Sequence, residues 1–314
     1  IPGSGFRRLG LLSRLKAMLS LLLGLASALR IVLRFRPHVV VATGGWASLA
    51  GGLAAVLLQK PLLVQEQNSV PGFSNRLLGR WATQVHIAFP GTEAAFAHPE
   101  RVHLSGNPLR ESLLRDVRNV PTASEEGVAT LLVVGGSRGA RSINAAVAEA
   151  IPLLQDRLSL HWLWQTGRLD HDALLQKWGA HDGVTLRAFL DDIAAAYRRS
   201  RLLICRAGAM TLSELTALGK PAILVPFPGA VDDHQTRNAR VLVDAGAAVL
   251  VPDAELTGAR LAEEISRLLS EPDELLEMSR RSRTLAKPAA TEHLANAIGT
   301  LSGLRQENMA LVRI

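Results

Sequence analysis

Short apolar runs alternate with longer segments of helical pattern along the whole chain, and that alternation leaves few folds open. The runs ATLLVV (129–134), LLIC (202–205) and AILV (222–225) read as buried strands, and each is closed by glycine, proline or charge. Strands alternating with helices argue for parallel sheets joined by right-handed crossovers. In the first series, helix 9–35 leads to strand 38–43, helix 47–58, strand 61–64, helix 73–82 and strands 84–88 and 101–104. Residues 115–127 are polar, include Pro121 and Gly127, and read as a linker. Beyond them come strand 129–134, a helix ending near Leu154, strands 159–165 and 184–189, and helix 191–199. Strands 202–205, 222–225 and 247–251 follow, with helices 257–269, 272–286 and 288–303. The expectation is an α/β protein of two Rossmann-like domains facing a cleft, with ligands at the carboxyl ends of the strands. Domain 1–118 comes first, then domain 119–287, then a helical tail, 288–314, returning to the first.

At 314 residues the chain is long enough for two domains, and 48% apolar against 4% aromatic residues describes an aliphatic core. The single cysteine, Cys205, excludes a disulfide within the chain and fits a reducing compartment. Nine histidines and one cysteine show no metal-ligand spacing, so no metal is expected; no cofactor is expected either. No G-x-S-x-G elbow is present.

The net charge of +7 is uneven. Eight Lys/Arg fall in the first 65 residues, the first acid is Glu66, and the remainder of the chain sums to −1. The early cations flank Leu, Ile, Met and Phe rather than stacking aromatics, which favours an anionic membrane surface over nucleic acid. Ala17 to Leu29 is uncharged for 13 residues, too short to span a bilayer. Arg14, Lys16 and Ala26-Ser27-Ala28 imitate a signal peptide, but the apolar pattern continues through Phe35 into a strand, as in a folded βα unit. The chain starts at isoleucine, and a further strand and loop are expected upstream of Ile1.

Residues 201–239 carry the most chemistry. The strand ending at Cys205 breaks at Arg206-Ala207-Gly208-Ala209, and Thr211 or Ser213 opens a helix with Glu214 in its first turn. Strand, small-residue turn and helix start present free N–H groups to an anion. A carboxylate just beyond suits a ribose diol, because it accepts two hydroxyl hydrogen bonds. Asp232 or Asp233 is placed to cap the next helix, which leaves Gln235 unexplained. Gly135-Gly136-Ser137-Arg138-Gly139-Ala140 reads as a phosphate loop, a dinucleotide turn or a plain tight turn, with Ser137 the more specific feature. Gly44-Gly45-Trp46 is a similar turn. Arg110 follows Gly106-Asn107-Pro108 near the domain boundary, where an arginine suits a pyrophosphate. Asn68 ends a polar run after a strand, where parallel sheets place binding sites.

The order of these motifs is distinctive. GGWASLAG, QEQNSVPGFSNRLL, AFPG, GNPLR, GGSRGARSIN, FLDDIAAAY, CRAGAMTLSEL, GKPAILVPFP and DDHQTRNA closely resemble the MurG family over nearly the whole chain. Those bacterial transferases move N-acetylglucosamine from UDP-N-acetylglucosamine to undecaprenyl-pyrophosphoryl-N-acetylmuramoyl-pentapeptide in peptidoglycan synthesis. The resemblance implies a GT-B fold, a metal-independent inverting transfer and a peripheral place on the cytoplasmic face of the inner membrane. It implies Leu190 on uracil, Glu214 on ribose, and Ser137 and Arg110 on the pyrophosphate. Thr211 and Ser213, with the backbone of Ala209, Met210, Thr211, Leu212, Ser213 and Glu214, would surround the nucleotide, and Gln235 and Asn68 would contact the N-acetylglucosamine side. The catalytic residue is not assigned: the family's suspected histidine base would precede Ile1, and Gln65 stands where the family usually has histidine before Glu66. A related enzyme such as a UDP-sugar epimerase or another lipid-linked glycosyltransferase, or a non-catalytic UDP-sugar-binding subunit, shares many of these features.

Overall fold

The structure is a computed structural model that describes residues 11–115, 128–136 and 139–303, with side chains from residue 19 onward. The chain divides into two compact units, residues 1–108 with 287–314, and residues 109–286. The sequence boundary expected at 118/119 lies outside the described residues, and Leu109–Arg115 group with the second unit.

The first unit runs α1 (Leu11–Phe35), β1 (Val40–Ala42), α2 (Gly45–Leu57), β2 (Leu62–Glu66), α3 (Phe73–Leu78), β3 (Gln84–Ile87) and β4 (Val102–Leu104). Its four strands are parallel in the order β1-β2-β3-β4. Leu62, Val64, Val85 and Ile87 from the sheet pack with Leu49 of α2 and Leu78 of α3. Burying each such side chain contributes about 1.5–3 kcal/mol. The helix expected over 73–82 stops at Leu78, where Gly79 caps it. The C-terminal segment returns to this unit. Gly106 has φ 92°, and a β-carbon there would lie 2.3 Å from that of Lys287, so only glycine fits the contact.

The second unit runs α4 (Glu111–Leu114), β5 (Ala129–Val134), α5 (Arg141–Leu154), β6 (Leu160–Gln165), α6 (His171–Trp178), β7 (Val184–Arg187), α7 (Ile193–Arg199), β8 (Leu202–Cys205), α8 (Ala209–Leu218), β9 (Ala222–Leu224), α9 (His234–Asp244), β10 (Ala248–Leu250), α10 (Gly258–Ser270) and α11 (Pro272–Thr284). The last helix, α12 (Ala290–Leu301), belongs to the first unit. The six strands are all parallel in the order β10-β9-β8-β5-β6-β7. The chain winds outward from β5 to β7, then returns to the other side of β5 through β8. That reversal between β5 and β8 opens a crevice at the carboxyl ends of the strands, where doubly wound sheets bind ligands. Leu131, Val133, Trp164, Ile204 and Ile223 face Ile143, Val147, Ile265 and Leu268 in one core.

The helix α6 was not anticipated. A parallel β6–β7 pair requires a crossover, and α6 provides it.

Candidate functional site

Three loops at the reversal of the second sheet hold most of the candidate residues. After β5 the chain turns through Gly135 and Gly136, and α5 begins at Arg141. Gly139 has φ 79°, and a β-carbon there would lie 2.3 Å from the carbonyl oxygen of Thr166, so this turn excludes any side chain. Ser137, expected on the pyrophosphate, lies outside the described residues, as does Arg138. At the end of β6, Gln165 is 4% exposed and engages both neighbouring loops. Its Nε2 donates to Gly136 O at 3.0 Å, and its Oε1 accepts from Leu190 N at 3.1 Å. One amide thus ties the glycine turn to the loop of Leu190, which is itself half-buried beside exposed Phe189.

After β8 the helix α8 starts at Ala209, with Gly208 at its cap position, ahead of both Thr211 and Ser213, either of which was expected to open it. Its first bond runs from Leu212 N to Gly208 O at 3.0 Å. The N–H groups of Ala209, Met210 and Thr211 therefore lack intrahelical acceptors and form the positive end of the helix. The Leu212 side chain is fully buried and packs the helix, and its N–H is engaged by Gly208 O. The Ser213 hydroxyl donates to Ala209 O at 3.0 Å. Glu214 sits in the second turn, not the first.

The Tyr197 hydroxyl donates to Glu214 Oε2 at 2.8 Å. Burial pushes the Glu214 carboxyl above its usual range, while the Tyr197 hydrogen bond and the Arg110 charge pull it back. Arg110 caps α4 and groups with the second unit, not the first as the sequence suggested. This is a partly buried acid, held by a phenol, in the field of a cation.

Arg206 braces the same edge. Its Nη1 donates to Val225 O and Pro226 O, both at 3.1 Å, and its Nη2 to Ser142 Oγ at 2.8 Å. Beyond β9, Gln235 Oε1 accepts from Phe227 N at 2.9 Å and pins the Pro-rich loop to α9. Asp232 and Asp233 both have φ 51°, and Asp233 Oδ1 takes the Thr236 hydroxyl at 2.6 Å. No side-chain bond to a backbone N–H of α9 forms, so the expected capping role is replaced by a left-handed turn.

In the first unit, Asn68 lies at the end of β2, where buried Glu66 organises the loop. Glu66 Oε1 accepts from Asn68 N at 2.9 Å, and Oε2 accepts from Gly72 N at 3.0 Å and Asn75 Nδ2 at 2.8 Å. Gln65 is buried and donates from Nε2 to Gly106 O at 3.2 Å. An amide there holds the neighbouring loop and has no titratable proton to exchange.

Sequence reasoning missed Tyr197, Gln165 and the bracing role of Arg206. The signals were present as a lone tyrosine, a polar residue ending an apolar strand and an arginine opening the small-residue turn.

Two α/β units built on parallel sheets describe a GT-B glycosyltransferase architecture. Residues 1–87 match the glycosyltransferase family 28 N-terminal domain, and residues 130–294 match the family 28 C-terminal domain. A Myxococcus xanthus (strain DK1622) UDP-N-acetylglucosamine--N-acetylmuramyl-(pentapeptide) pyrophosphoryl-undecaprenol N-acetylglucosamine transferase is 43% identical over 93% of this chain and 76% of its own length. A transferase of the same name from Nitrosococcus oceani is 43% identical over 93% of this chain and 81% of its own length. The crystal structure of Acinetobacter baumannii MurG superposes with TM-score 0.75 at 34% identity, covering 90% of this chain and 79% of that one. A Neisseria meningitidis UDP-GlcNAc 2-epimerase bound to UDP-GlcNAc superposes with TM-score 0.64 over 88% of this chain and 80% of that one, and at 12% identity it shares the fold alone. The chain belongs to glycosyltransferase family 28 and, within it, to the MurG family.

Proposed function

We propose that this glycosyltransferase moves N-acetylglucosamine from UDP-N-acetylglucosamine to undecaprenyl-pyrophosphoryl-N-acetylmuramoyl-pentapeptide. The observation that carries the reading is the end of α8, with three N–H groups lacking intrahelical acceptors followed by the Glu214 carboxylate. On this reading Glu214 takes the ribose hydroxyls and Leu190 covers uracil. Arg110, Ser137 and the α8 N-terminus face the diphosphate. Gln235 meets the sugar. Chemically, an acceptor hydroxyl attacks the anomeric carbon as its bond to the diphosphate oxygen breaks, and its proton passes to a general base. Fixed donors at the departing diphosphate favour the transition state, in which its negative charge grows.

Incubation with radiolabelled UDP-N-acetylglucosamine and the lipid-linked acceptor tests this. Label is expected in the lipid fraction, and Glu214→Ala should lose UDP affinity by about 1.5–3 kcal/mol, the range for a hydrogen bond to a charged group. Conversion of the UDP-sugar to its 2-epimer would identify an epimerase instead. Tight UDP binding with no transfer would identify a binding subunit.

The acceptor's lipid calls for a membrane-facing surface, and α1 supports one. Leu21, Leu25, Ala28 and Val32 lie on the more buried side of the helix, and Leu19, Leu22, Leu23 and Leu33 are exposed on the other. Arg30 and Arg34 are exposed on that same side of the helix, and Arg36 follows its end. No helix among the described residues is long and apolar enough to cross a membrane. Peripheral attachment to an anionic surface on the cytoplasmic side suits this pattern.

A further inference from the structure

Tyr197 is 1% exposed, yet its hydroxyl emerges beside the second turn of α8 and donates to Glu214 Oε2 at 2.8 Å. The phenol spends its single donor on that oxygen. Among the described residues Glu214 Oε1 has no hydrogen-bond partner. We propose that Tyr197 is a positioning residue that makes Glu214 a reader of the ribose diol, so that the site distinguishes a ribonucleoside diphosphate from its 2′-deoxy counterpart. The inference rests on the reading that Glu214 meets the ribose.

The argument is one of geometry and charge. An unrestrained glutamate at a half-buried site would swing toward solvent, where its charge is hydrated. The Tyr197 bond holds one oxygen in place, and the other keeps its lone pairs for hydroxyl donors. Ionisation matters equally, because a protonated acid would give up acceptor capacity. Burial drives Glu214 toward the neutral form, and the Tyr197 hydroxyl and the Arg110 charge oppose it. The remaining titratable neighbour is Cys205 on β8, whose thiol is pushed up to about 12 by burial and so stays uncharged. Tyr197 itself is raised well above 10 by burial, with the Glu214 charge adding to it, and remains a donor at every physiological pH. Losing the phenol oxygen therefore leaves a carboxylate that is less fixed and easier to protonate.

Titration calorimetry with UDP and 2′-deoxy-UDP reads this directly. The unmodified protein should prefer UDP by about tenfold or more, and Tyr197→Phe should cut that preference by at least about threefold. The acidic limb of UDP binding should also move to higher pH in the variant, a change that a merely structural role would not produce. An unchanged UDP to 2′-deoxy-UDP ratio in Tyr197→Phe, with an unchanged acidic limb, would overturn the proposal. Absence of any preference in the unmodified protein would instead overturn the ribose reading of Glu214. The chain contains one tyrosine, so tyrosine labelled with carbon-13 at Cζ gives a single phenol resonance in the unmodified protein. That resonance should move on adding UDP, and less on adding 2′-deoxy-UDP. A resonance indifferent to saturating UDP would overturn the proposal even if the variant does not fold.

Discussion

Arg206 and Asp253 form an ion pair across 47 residues of sequence, with Nη1 2.5 Å from Oδ1 and side chains only 14% and 20% exposed. Ser142 joins it, donating its hydroxyl to the same Asp253 oxygen at 2.6 Å. The guanidinium also lies over the Phe227 ring at 5.6 Å. The start of α5, the turn before α8 and the loop after β9 are thus held by one side chain.

Removing it should be felt in both stability and binding. Losing one partner of a buried pair costs about 3–5 kcal/mol, and the residual exposure here places Arg206→Ala near the lower end. Lysine brings a charge but not the planar fork, so Arg206→Lys should recover only part of the loss. Denaturant melts and UDP calorimetry on the two variants check this. An Arg206→Ala protein as stable as the parent would show that the brace is dispensable.

Gln165→Leu should weaken uridine and UDP together. The substitution leaves Gly136 O and Leu190 N without their side-chain partner, at a cost of about 1–3 kcal/mol. Because both loops lose the same support, uridine affinity should fall even though uridine carries no phosphate. Unchanged uridine affinity, measured by calorimetry, would show that the two loops are set independently.

Much of this architecture was legible because buried strands write themselves as apolar runs. The runs ATLLVV and LLIC became β5 and β8 with little change at their ends. The helix α6 was missed because HDALLQKW has only eight residues, half of them polar, too short a stretch to show a period. The start of α8, expected at Thr211 or Ser213, falls earlier for a different reason. Gly208 caps that helix without a side-chain bond, whereas the rule applied looks for a serine or threonine hydroxyl. Tyr197, 17 residues from Glu214, was out of reach of any local pattern, because their contact is made by the fold returning through β8. Gln165 stands 25 residues from Leu190 and was hidden in the same way.

The outward stripe of α1 predicts salt-sensitive membrane binding. Each cation near an anionic leaflet contributes about 1 kcal/mol, and salt screens it. Sedimentation with phosphatidylglycerol vesicles should recover the protein at low salt and release much of it at high salt. Replacing Leu19, Leu22 and Leu23 by serine should reduce recovery while leaving UDP affinity intact. Equal binding to neutral and anionic vesicles would rule out the electrostatic part.

The short helix α7 has a consequence for what the site can accept. Asp192 caps it by accepting from Ala195 N at 2.9 Å, Leu190 lies just before it, and Tyr197 stands near its far end. Seven helical residues span about 10 Å and scarcely stretch. On the proposed reading, the base is met before one end of this rod and the sugar diol, through Glu214, near the other. On that same reading the rod would act as a fixed gauge for the distance from base to ribose. On that reading a nucleoside whose base is longer than uracil would have to give up one contact to keep the other, so length alone would favour a pyrimidine.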